Sequence, residues 1–413
     1  MTIGLEDGTL AVPAASVIDV AAERARTAGT AGRHYFNAAG AGLVSDGVLE
    51  AVVGHLRREQ RVGGYEAANE AADEVATVYA AAAALLGAQT DEIALFDSAT
   101  SGLRSVFDAL RLGAGDTVVA PRSSYVSQAL RLLAMQRHDD VRLVVVPSDD
   151  TGAMDLDALD TAVAGASGRV VVSAVHVPTS SGLVEPIAEV SAVARRHGAW
   201  TVVDATQSVG QIDIDVAAVG CDALVTTGRK FLRGPRGTGL VYLRRGTLEG
   251  VGAWAPDVRG SVWTGEDEWT MDGTARQLET WECSVAARLG LGVALREALE
   301  RGPAATETHL VALGARIRAA LAEVDGVTVA DPAASPSAIV TFTVDGAPGK
   351  EVSARLRQRR IDSIAVPASH AQWDLGARGL ASVVRVSPHV YNDDEDVRAL
   401  LDGVADVVAE VRA

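Results

Sequence analysis

The chain is poor in cysteine, lysine and long apolar runs, and each scarcity excludes a class of protein. Its two cysteines, Cys221 and Cys283, cannot build a disulfide framework or a four-thiolate metal site. The eight histidines lack the HxxxH spacing of a helical metal site, so we expect no metal. No run reaches about 18 apolar residues, so we expect no membrane-spanning helix.

Positive charge is also scarce. The 413 residues include 37 lysines and arginines against 54 acidic residues, which gives a net charge of −17. Only two of the basic residues are lysines, Lys230 and Lys350. Nucleic acids and anionic membranes both bind basic surfaces, so neither is an expected partner. The N-terminus has no positive segment leading into an apolar run, so we expect no signal peptide and a cytoplasmic location.

The composition favours a large folded core. Hydrophobic residues make up 48 % of the chain and charged residues 22 %. Short, β-branched runs alternate with helical patterns over residues 70–245, which predicts an α/β domain with a mostly parallel, buried seven-stranded sheet. The strands are predicted at Ile93–Phe96, Thr117–Ala120, Arg142–Val146, Val170–Val175, Thr201–Val203, Ala223–Thr226 and Gly239–Leu243. The helices between them are predicted at Ser101–Leu112, Tyr125–Gln136, Asp155–Ala164 and Ile187–His197.

The pattern changes after about residue 290, which predicts a smaller C-terminal α+β domain. Its helices are predicted at Ala304–Val324, Lys350–Arg360 and Asp393–Val411, and its strands at Ser337–Val344, Ser363–Val366 and Val383–Ser387. One short helix is predicted near the N-terminus, at Val17–Thr27. We therefore divide the chain into an N-terminal segment (1–34), a large domain (35–290) and a small domain (291–413).

The segment from Thr201 to Gly239 carries the strongest chemical signal. Asp204 ends an apolar strand, Gln207 follows three residues later, and Lys230 stands 26 residues beyond the acid. A buried lysine can form an imine with an aldehyde, and a buried acid can keep a pyridine nitrogen protonated. This combination predicts that the protein binds pyridoxal 5′-phosphate.

Five motifs carry a resemblance to a known family. FDSATSG, HVPTSSG, VVDATQSVG, TTGRKFLRGPRGTG and RVSPHVYNDDED occur in the order seen in class V aminotransferase-like enzymes. These are fold-type I pyridoxal-phosphate enzymes, and the resemblance runs from Tyr35 to Asp396. It implies a large domain that binds the cofactor, an amino-acid substrate and a homodimer in which each subunit completes the other's site.

The resemblance also implies roles for individual residues. Lys230 matches the lysine that binds the cofactor covalently, and Asp204 matches the acid at the pyridine nitrogen. Gln207 and Thr179 are expected to contact the 3′-oxygen of the ring, and Tyr125 is expected to cover the ring face. Arg385 is expected to bind the substrate carboxylate. The cofactor phosphate is expected to contact Ala99, Thr100, Ser101, Thr227 and Arg229. Two further residues, Asn37 and Tyr65, match loops that line the substrate pocket.

Two departures from the family pattern narrow the chemistry. Cysteine desulfurases carry a mobile cysteine shortly before the position of Arg385, and residues 365–380 contain none. Trp281 and Glu282 replace a Gly-Thr pair whose threonine reaches the partner's phosphate in many relatives. Persulfide chemistry is therefore not expected, and the cross-subunit phosphate contact is in question.

The segments VGGYEAANEAA, QLETWECSVAARLGLGVAL and PSAIVTFTVDG point to one branch of the family. That branch includes C–S lyases of ergothioneine biosynthesis, isopenicillin N epimerase and lincosamide-pathway enzymes that process cysteine S-conjugates. It implies β-elimination from a cysteine S-conjugate or its sulfoxide, which releases a thiol or sulfenic acid with pyruvate and ammonia. We also expect several tryptophans to line the substrate entrance, where they would suit a flat or cationic group: Trp254, Trp263, Trp269, Trp281 and Trp373.

Five alternatives remain open. Epimerisation, transamination and oxidative decarboxylation of an amino acid use the same cofactor and the same lysine. A non-catalytic pyridoxal-phosphate-binding protein, or an α/β protein of unrelated function, would be a different class altogether.

Overall fold

The computed structural model describes residues 17–247, 255–332 and 335–413, in which helices and strands alternate along most of the chain. The α-helices are α1 (Val20–Ala25), α2 (Asp46–Val62), α3 (Gly64–Glu70), α4 (Ala72–Leu86), α5 (Ala99–Leu110), α6 (Val126–His138), α7 (Leu156–Ala164), α8 (Ile187–Arg196), α9 (Val216–Val219), α10 (Val285–Arg301), α11 (Pro303–Ala322), α12 (Gly349–Gln358) and α13 (Asp394–Arg412).

The strands are β1 (His34–Tyr35), β2 (Ile93–Phe96), β3 (Thr117–Pro121), β4 (Arg142–Val146), β5 (Val170–Val175), β6 (Trp200–Asp204), β7 (Ala223–Thr227), β8 (Gly239–Leu243), β9 (Ser261–Gly265), β10 (Glu268–Met271), β11 (Val327–Val329), β12 (Val340–Val344), β13 (Ile361–Asp362), β14 (Ile364–Pro367) and β15 (Ser382–Val386).

Seven strands form the central sheet, in the order β2-β8-β7-β6-β5-β3-β4. Strand β8 runs antiparallel to both β2 and β7, and the other neighbouring pairs of this sheet are parallel. The predicted α/β fold with a mostly parallel seven-stranded sheet is therefore confirmed. Most of these strands are buried because helices cover both faces of a sheet built from parallel crossovers.

Glycine lets helix α5 lie close against the sheet. A Cβ atom on Gly102 would fall 2.8 Å from Val241 Cγ2 and 3.0 Å from Val225 Cγ1, on β8 and β7. At the start of β8, a Cβ on Gly239 would fall 2.9 Å from the carbonyl carbon of Ser98. The first turn of α5 is thus held against the strand ends, where ligands of α/β sheets bind.

The C-terminal part of the chain forms a second sheet with the antiparallel order β11-β12-β15-β14. Helices α11, α12 and α13 share its apolar core, which contains Phe342, Leu356 and Leu400. Helix α10 packs against α2 and α4 and runs through the predicted boundary at residue 290. The division into three domains therefore stays a prediction.

The N-terminal segment connects both halves of the molecule. Its helix is shorter than the predicted Val17–Thr27, because residues 17–19 lie outside the helix and Asp19 caps its start. Glu23 pairs with the fully buried Arg233, which lies three residues after Lys230. Arg24 pairs with Asp396 on α13. Over the described ranges, no helix is both long and apolar enough to span a membrane.

Candidate active site

A cavity of about 220 Å³ opens at the carboxyl ends of β5, β6 and β7. Parallel strands end at one edge of the sheet, which is why residues far apart in sequence meet there. The cavity brings together nine of the residues predicted from the sequence: Ala99, Thr100, Tyr125, Thr179, Asp204, Gln207, Thr227, Arg229 and Lys230.

Lys230 is buried in this cavity among other charged groups. Burial lowers its pKa well below the ordinary value, and the nearby Arg229 and Arg385 lower it further, while Asp204 acts in the opposite direction. Its Nζ lies 6.0 Å from the centre of the Tyr125 ring. The environment therefore favours the neutral amine, which is the form that can attack an aldehyde or accept a proton.

Asp204 and Thr179 present polar groups to the cavity from neighbouring strand ends. The buried Asp204 accepts a hydrogen bond from the Thr206 amide at 2.9 Å through Oδ1. The Thr179 hydroxyl oxygen accepts from Gln207 Nε2 at 3.3 Å and from Arg385 Nη1. Because that oxygen already accepts two hydrogen bonds, the Thr179 proton is free to be donated to a ligand.

The first turn of α5 offers an anion site. Ser98 caps the helix by accepting from the Ser101 amide at 3.1 Å. The amides of Ala99 and Thr100 lie in the first turn, where helical geometry leaves N–H groups without an intrahelical partner. Ser101 does not line this cavity, because its hydroxyl donates to Asp97 and its side chain faces a neighbouring one. The contact of Ser101 with the cofactor phosphate therefore stays a prediction.

Arg385 lies on β15, where it is buried and contacts Thr179. It donates to the Thr179 carbonyl at 3.3 Å, and its Nη2 donates to Asn37 Oδ1 at 3.4 Å. Burial lowers its pKa to about 10. Within the described residues no carboxylate pairs with it, and its Nε is buried without a hydrogen-bond partner. This arrangement suits an incoming carboxylate.

Several predicted residues lie away from the cavity. Tyr65 is on α3 with 73 % of its side chain exposed, so within one chain it does not line the substrate site. The four expected tryptophans that the structure describes do not line this cavity either. Trp263 and Trp269 lie on the exposed β9–β10 hairpin, Trp281 is exposed, and Trp373 lines a different cavity. Trp254 lies outside the described residues.

Sequence reasoning missed three residues near the site. Arg236 lines the cavity next to Arg229, and the repeated arginine in GRKFLRGPRG was its only signal. The His370 ring lies 6.5 Å from the Tyr125 ring, in the segment where the sequence lacks a cysteine. Glu279, in the divergent ETWE segment, is buried and accepts from the Leu95 amide at 2.8 Å.

Neither cysteine is placed for catalysis in the Lys230 cavity. Cys221 is fully buried at the entry of β7, and burial raises the pKa of its thiol to about 12. Cys283 lines the separate cavity that Ser101 also faces. Among the described residues, no cluster of His, Cys, Asp and Glu is arranged to hold a metal ion.

The chain belongs to the aminotransferase class-V family, whose profile matches residues 34–400. One curated relative is a probable hercynylcysteine sulfoxide lyase of Mycobacterium tuberculosis. It is 33 % identical over 393 residues, which cover 94 % of this chain and 93 % of that protein. Another is a probable cysteine desulfurase of Methanothermobacter thermautotrophicus, 27 % identical over 77 % of this chain and 80 % of that protein.

Solved structures share the fold. The apo cysteine desulfurase of Thermococcus onnurineus superposes with a TM-score of 0.88 at 23 % identity, covering 96 % of this chain and all of that one. A mutant of C-DES with glycine linked to its pyridoxal-phosphate cofactor superposes with a TM-score of 0.82 at 22 % identity, covering 93 % and 99 %. The protein is accordingly a pyridoxal 5′-phosphate-dependent enzyme of fold type I.

The residues present fit that cofactor. The cavity provides a buried amine whose pKa is lowered, a buried carboxylate and a helix N-terminus beside an arginine. Gln207 Oε1, like Arg385 Nε, is buried without a hydrogen-bond partner among the described residues. Buried polar atoms are costly to leave unpaired, so they mark where a polar ligand completes the site.

Proposed function

We propose that the protein is a C–S lyase that catalyses β-elimination on a cysteine S-conjugate or its sulfoxide. The products are a thiol or sulfenic acid together with pyruvate and ammonia. The observation that carries the proposal is the Lys230 cavity, whose described lining holds a buried amine and Thr179 but no cysteine, with the buried Arg385 bonded to Thr179 behind it. Such a site can remove a proton from Cα, but it has no thiol to accept sulfur from the substrate.

The substrate is held by Arg385, whose guanidinium binds the α-carboxylate in the bidentate manner that suits a planar group. Asn37 Oδ1 orients that guanidinium through Nη2. Burial of the pair excludes water and strengthens the contact. The amino group and Cα of the substrate then face Lys230.

Lys230 Nζ takes the Cα proton, because its depressed pKa leaves the amine free to act as a base. When bound, pyridoxal phosphate supplies the electron sink for the pair of electrons that the proton leaves behind. Asp204 would hold the proton at the pyridine nitrogen of the bound cofactor, and the Thr179 hydroxyl would donate to its ring oxygen. The C–S bond then breaks, and its electron pair leaves with sulfur, which takes up a proton to give the thiol or sulfenic acid. Water hydrolyses the remaining aminoacrylate to pyruvate and ammonia.

Our proposal for the group carried on the substrate sulfur rests on one curated relative. One relative, 33 % identical over 94 % of this chain, is a probable hercynylcysteine sulfoxide lyase. We therefore propose hercynylcysteine sulfoxide, or a similar conjugate with a sulfoxide sulfur, as the preferred substrate. A sulfenate leaves more readily than an alkyl thiolate, which suits elimination without a cysteine nucleophile.

A panel of substrates tests the reaction type. Purified enzyme is incubated with hercynylcysteine sulfoxide, a simple S-alkyl cysteine sulfoxide and free cysteine, and pyruvate and ammonia are measured. We expect equal amounts of pyruvate and ammonia from the sulfoxides and little from cysteine. Alanine with released sulfur would indicate a desulfurase, and a D-amino acid, a keto acid that retains the sulfur, or carbon dioxide would indicate epimerisation, transamination or oxidative decarboxylation.

The two lysines of the chain give the lysine assignment a matched control. Lys230→Ala should lose the absorbance of the covalently bound cofactor and lose turnover by at least about 10³-fold, because the base is removed. Lys350→Ala changes an exposed residue at the start of α12 and should keep both. Borohydride reduction followed by peptide mass spectrometry should place the cofactor on Lys230; attachment at Lys350 would refute the assignment.

A further inference from the structure

Two arginines face the phosphate end of the cavity without an acidic partner. Arg229 and Arg236 both line it beside Ala99 and Thr100. Neither forms an ion pair within the described residues; Arg229 Nη1 donates only to the Gly40 carbonyl. The acid at this end is Asp97, whose carboxylate accepts from the hydroxyls of Ser98 and Ser101. The guanidinium groups of Arg229 and Arg236 are therefore available to bind an anionic ligand.

The turn that carries Arg236 is fixed to the lysine loop. The Gly234 amide donates to the Gly228 carbonyl at 2.7 Å, and the Gly228 amide donates to the Thr238 carbonyl at 2.9 Å. Thr238 closes the turn by donating from its hydroxyl to the Pro235 carbonyl at 2.6 Å. The backbone of Arg236 is thus held in place, while its long side chain stays exposed and adjustable.

The charges at this end repel each other when no anion is bound. Burial lowers the pKa of Arg229, and the positive charge of Arg236 lowers it further. The N-terminus of α5 adds its own partial positive charge. A phosphate group carries up to two negative charges, so it would relieve this repulsion, and the two arginines would offset its repulsion from Asp97.

We propose that Arg236 binds the phosphate group of the cofactor, together with Arg229 and the first turn of α5. The contact comes from the same chain as Lys230, which makes the phosphate site complete without a threonine at position 281 or 282. The proposal concerns cofactor binding and holds whichever reaction the enzyme catalyses.

Comparison of two cofactor forms tests it. Apoprotein is titrated with pyridoxal 5′-phosphate and with pyridoxal, which lacks the phosphate, and binding is followed by absorbance and tryptophan fluorescence. Arg236→Gln should weaken pyridoxal 5′-phosphate by roughly tenfold, the value of one charge-assisted hydrogen bond, and leave pyridoxal affinity unchanged. Arg236→Lys should recover part of the loss, because it keeps the charge.

Arg137→Gln serves as the matched control, since Arg137 lies in the last turn of α6 and lines none of the described cavities. Unchanged affinity of Arg236→Gln for pyridoxal 5′-phosphate, or equal losses for both forms, would overturn the proposal.

Wild-type protein gives an independent measurement. Phenylglyoxal labelling of Arg236, read by mass spectrometry, should be blocked by inorganic phosphate and by pyridoxal 5′-phosphate but not by pyridoxal; equal labelling in all three would also overturn it.

Discussion

The amine of Lys230 destabilises the protein that contains it, because burial and two arginines oppose its charged form. The unfolded chain binds a proton there up to the ordinary lysine pKa of about 10.4, whereas the folded chain releases it at lower pH. Folded stability therefore rises with pH across that window, by at most about 1.4 kcal/mol per pH unit. We predict that Lys230→Met raises the melting temperature of the apoprotein near pH 7.

The pH dependence distinguishes the removal of an unfavourable buried charge from an improvement in apolar packing around residue 230. The advantage of Lys230→Met over wild type should shrink as the pH rises towards the ordinary lysine pKa, because the wild-type penalty disappears there. Differential scanning fluorimetry of both apoproteins at several pH values measures it. An advantage that stays constant or grows with pH would show that Lys230 is not held in its neutral form.

Residues at strand ends were predictable, whereas residues whose role depends on a turn were not. Asp204 could be found because it ends an apolar strand, and Lys230 because it follows at a recognisable spacing. In the sequence, nothing distinguishes Arg236 from the neighbouring arginines. Its place in the cavity depends on hydrogen bonds between Gly234, Gly228 and Thr238, which no periodic pattern reveals.

Among the secondary-structure elements, the segment after β10 is fixed by one buried carboxylate. Glu279 accepts from the Tyr79 hydroxyl on α4 at 2.9 Å, from the Leu95 amide on β2 at 2.8 Å and from Arg288 on α10 at 3.0 Å. We predict that Glu279→Ala costs about 3–5 kcal/mol, because it leaves the charge of the buried Arg288 without its carboxylate partner. Thermal unfolding measures the loss.

A neighbouring acid in the same segment serves as the control. Glu282 is exposed and its carboxylate makes no ion pair within the described residues, so Glu282→Ala should change stability by no more than about 0.5 kcal/mol. Glu279→Gln, which can still accept from the Leu95 amide, should fall between the two. If Glu279→Ala unfolded at the wild-type temperature, the carboxylate would not be the anchor of this segment.

The buried strands were predictable because burial on both faces leaves continuous apolar runs in the sequence. Four of the seven, including Ile93–Phe96 and Val170–Val175, have the predicted ends. The β9–β10 hairpin was not predicted. Its residues Ser261–Gly265 and Glu268–Met271 are mostly exposed, so they carry no alternation of buried and exposed positions from which a strand could be recognised.

At the scale of the whole molecule, ion pairs connect the N-terminal segment to both halves of the chain. Glu23 and Thr27 hold Arg233, three residues from Lys230, and Arg24 holds Asp396 on α13. The lysine loop and the small sheet are therefore fixed to the same short helix. Arg385, on β15 of the four-stranded sheet, lies within hydrogen-bonding distance of Thr179, which follows β5 of the central sheet.

The predicted homodimer can be tested on an exposed aromatic surface of this molecule. Trp263 is 79 % exposed and Trp269 56 % exposed on the β9–β10 hairpin, and Val262 and Trp281 are also exposed. Clustered apolar side chains of this size are usually covered in the working protein. We predict that Trp263→Glu combined with Trp269→Glu shifts a dimer to monomer in light scattering after gel filtration. Leu130→Glu, at an exposed leucine on α6, should leave the mass unchanged. A double variant that stays dimeric, or a monomeric wild type, would contradict a dimer built on this surface.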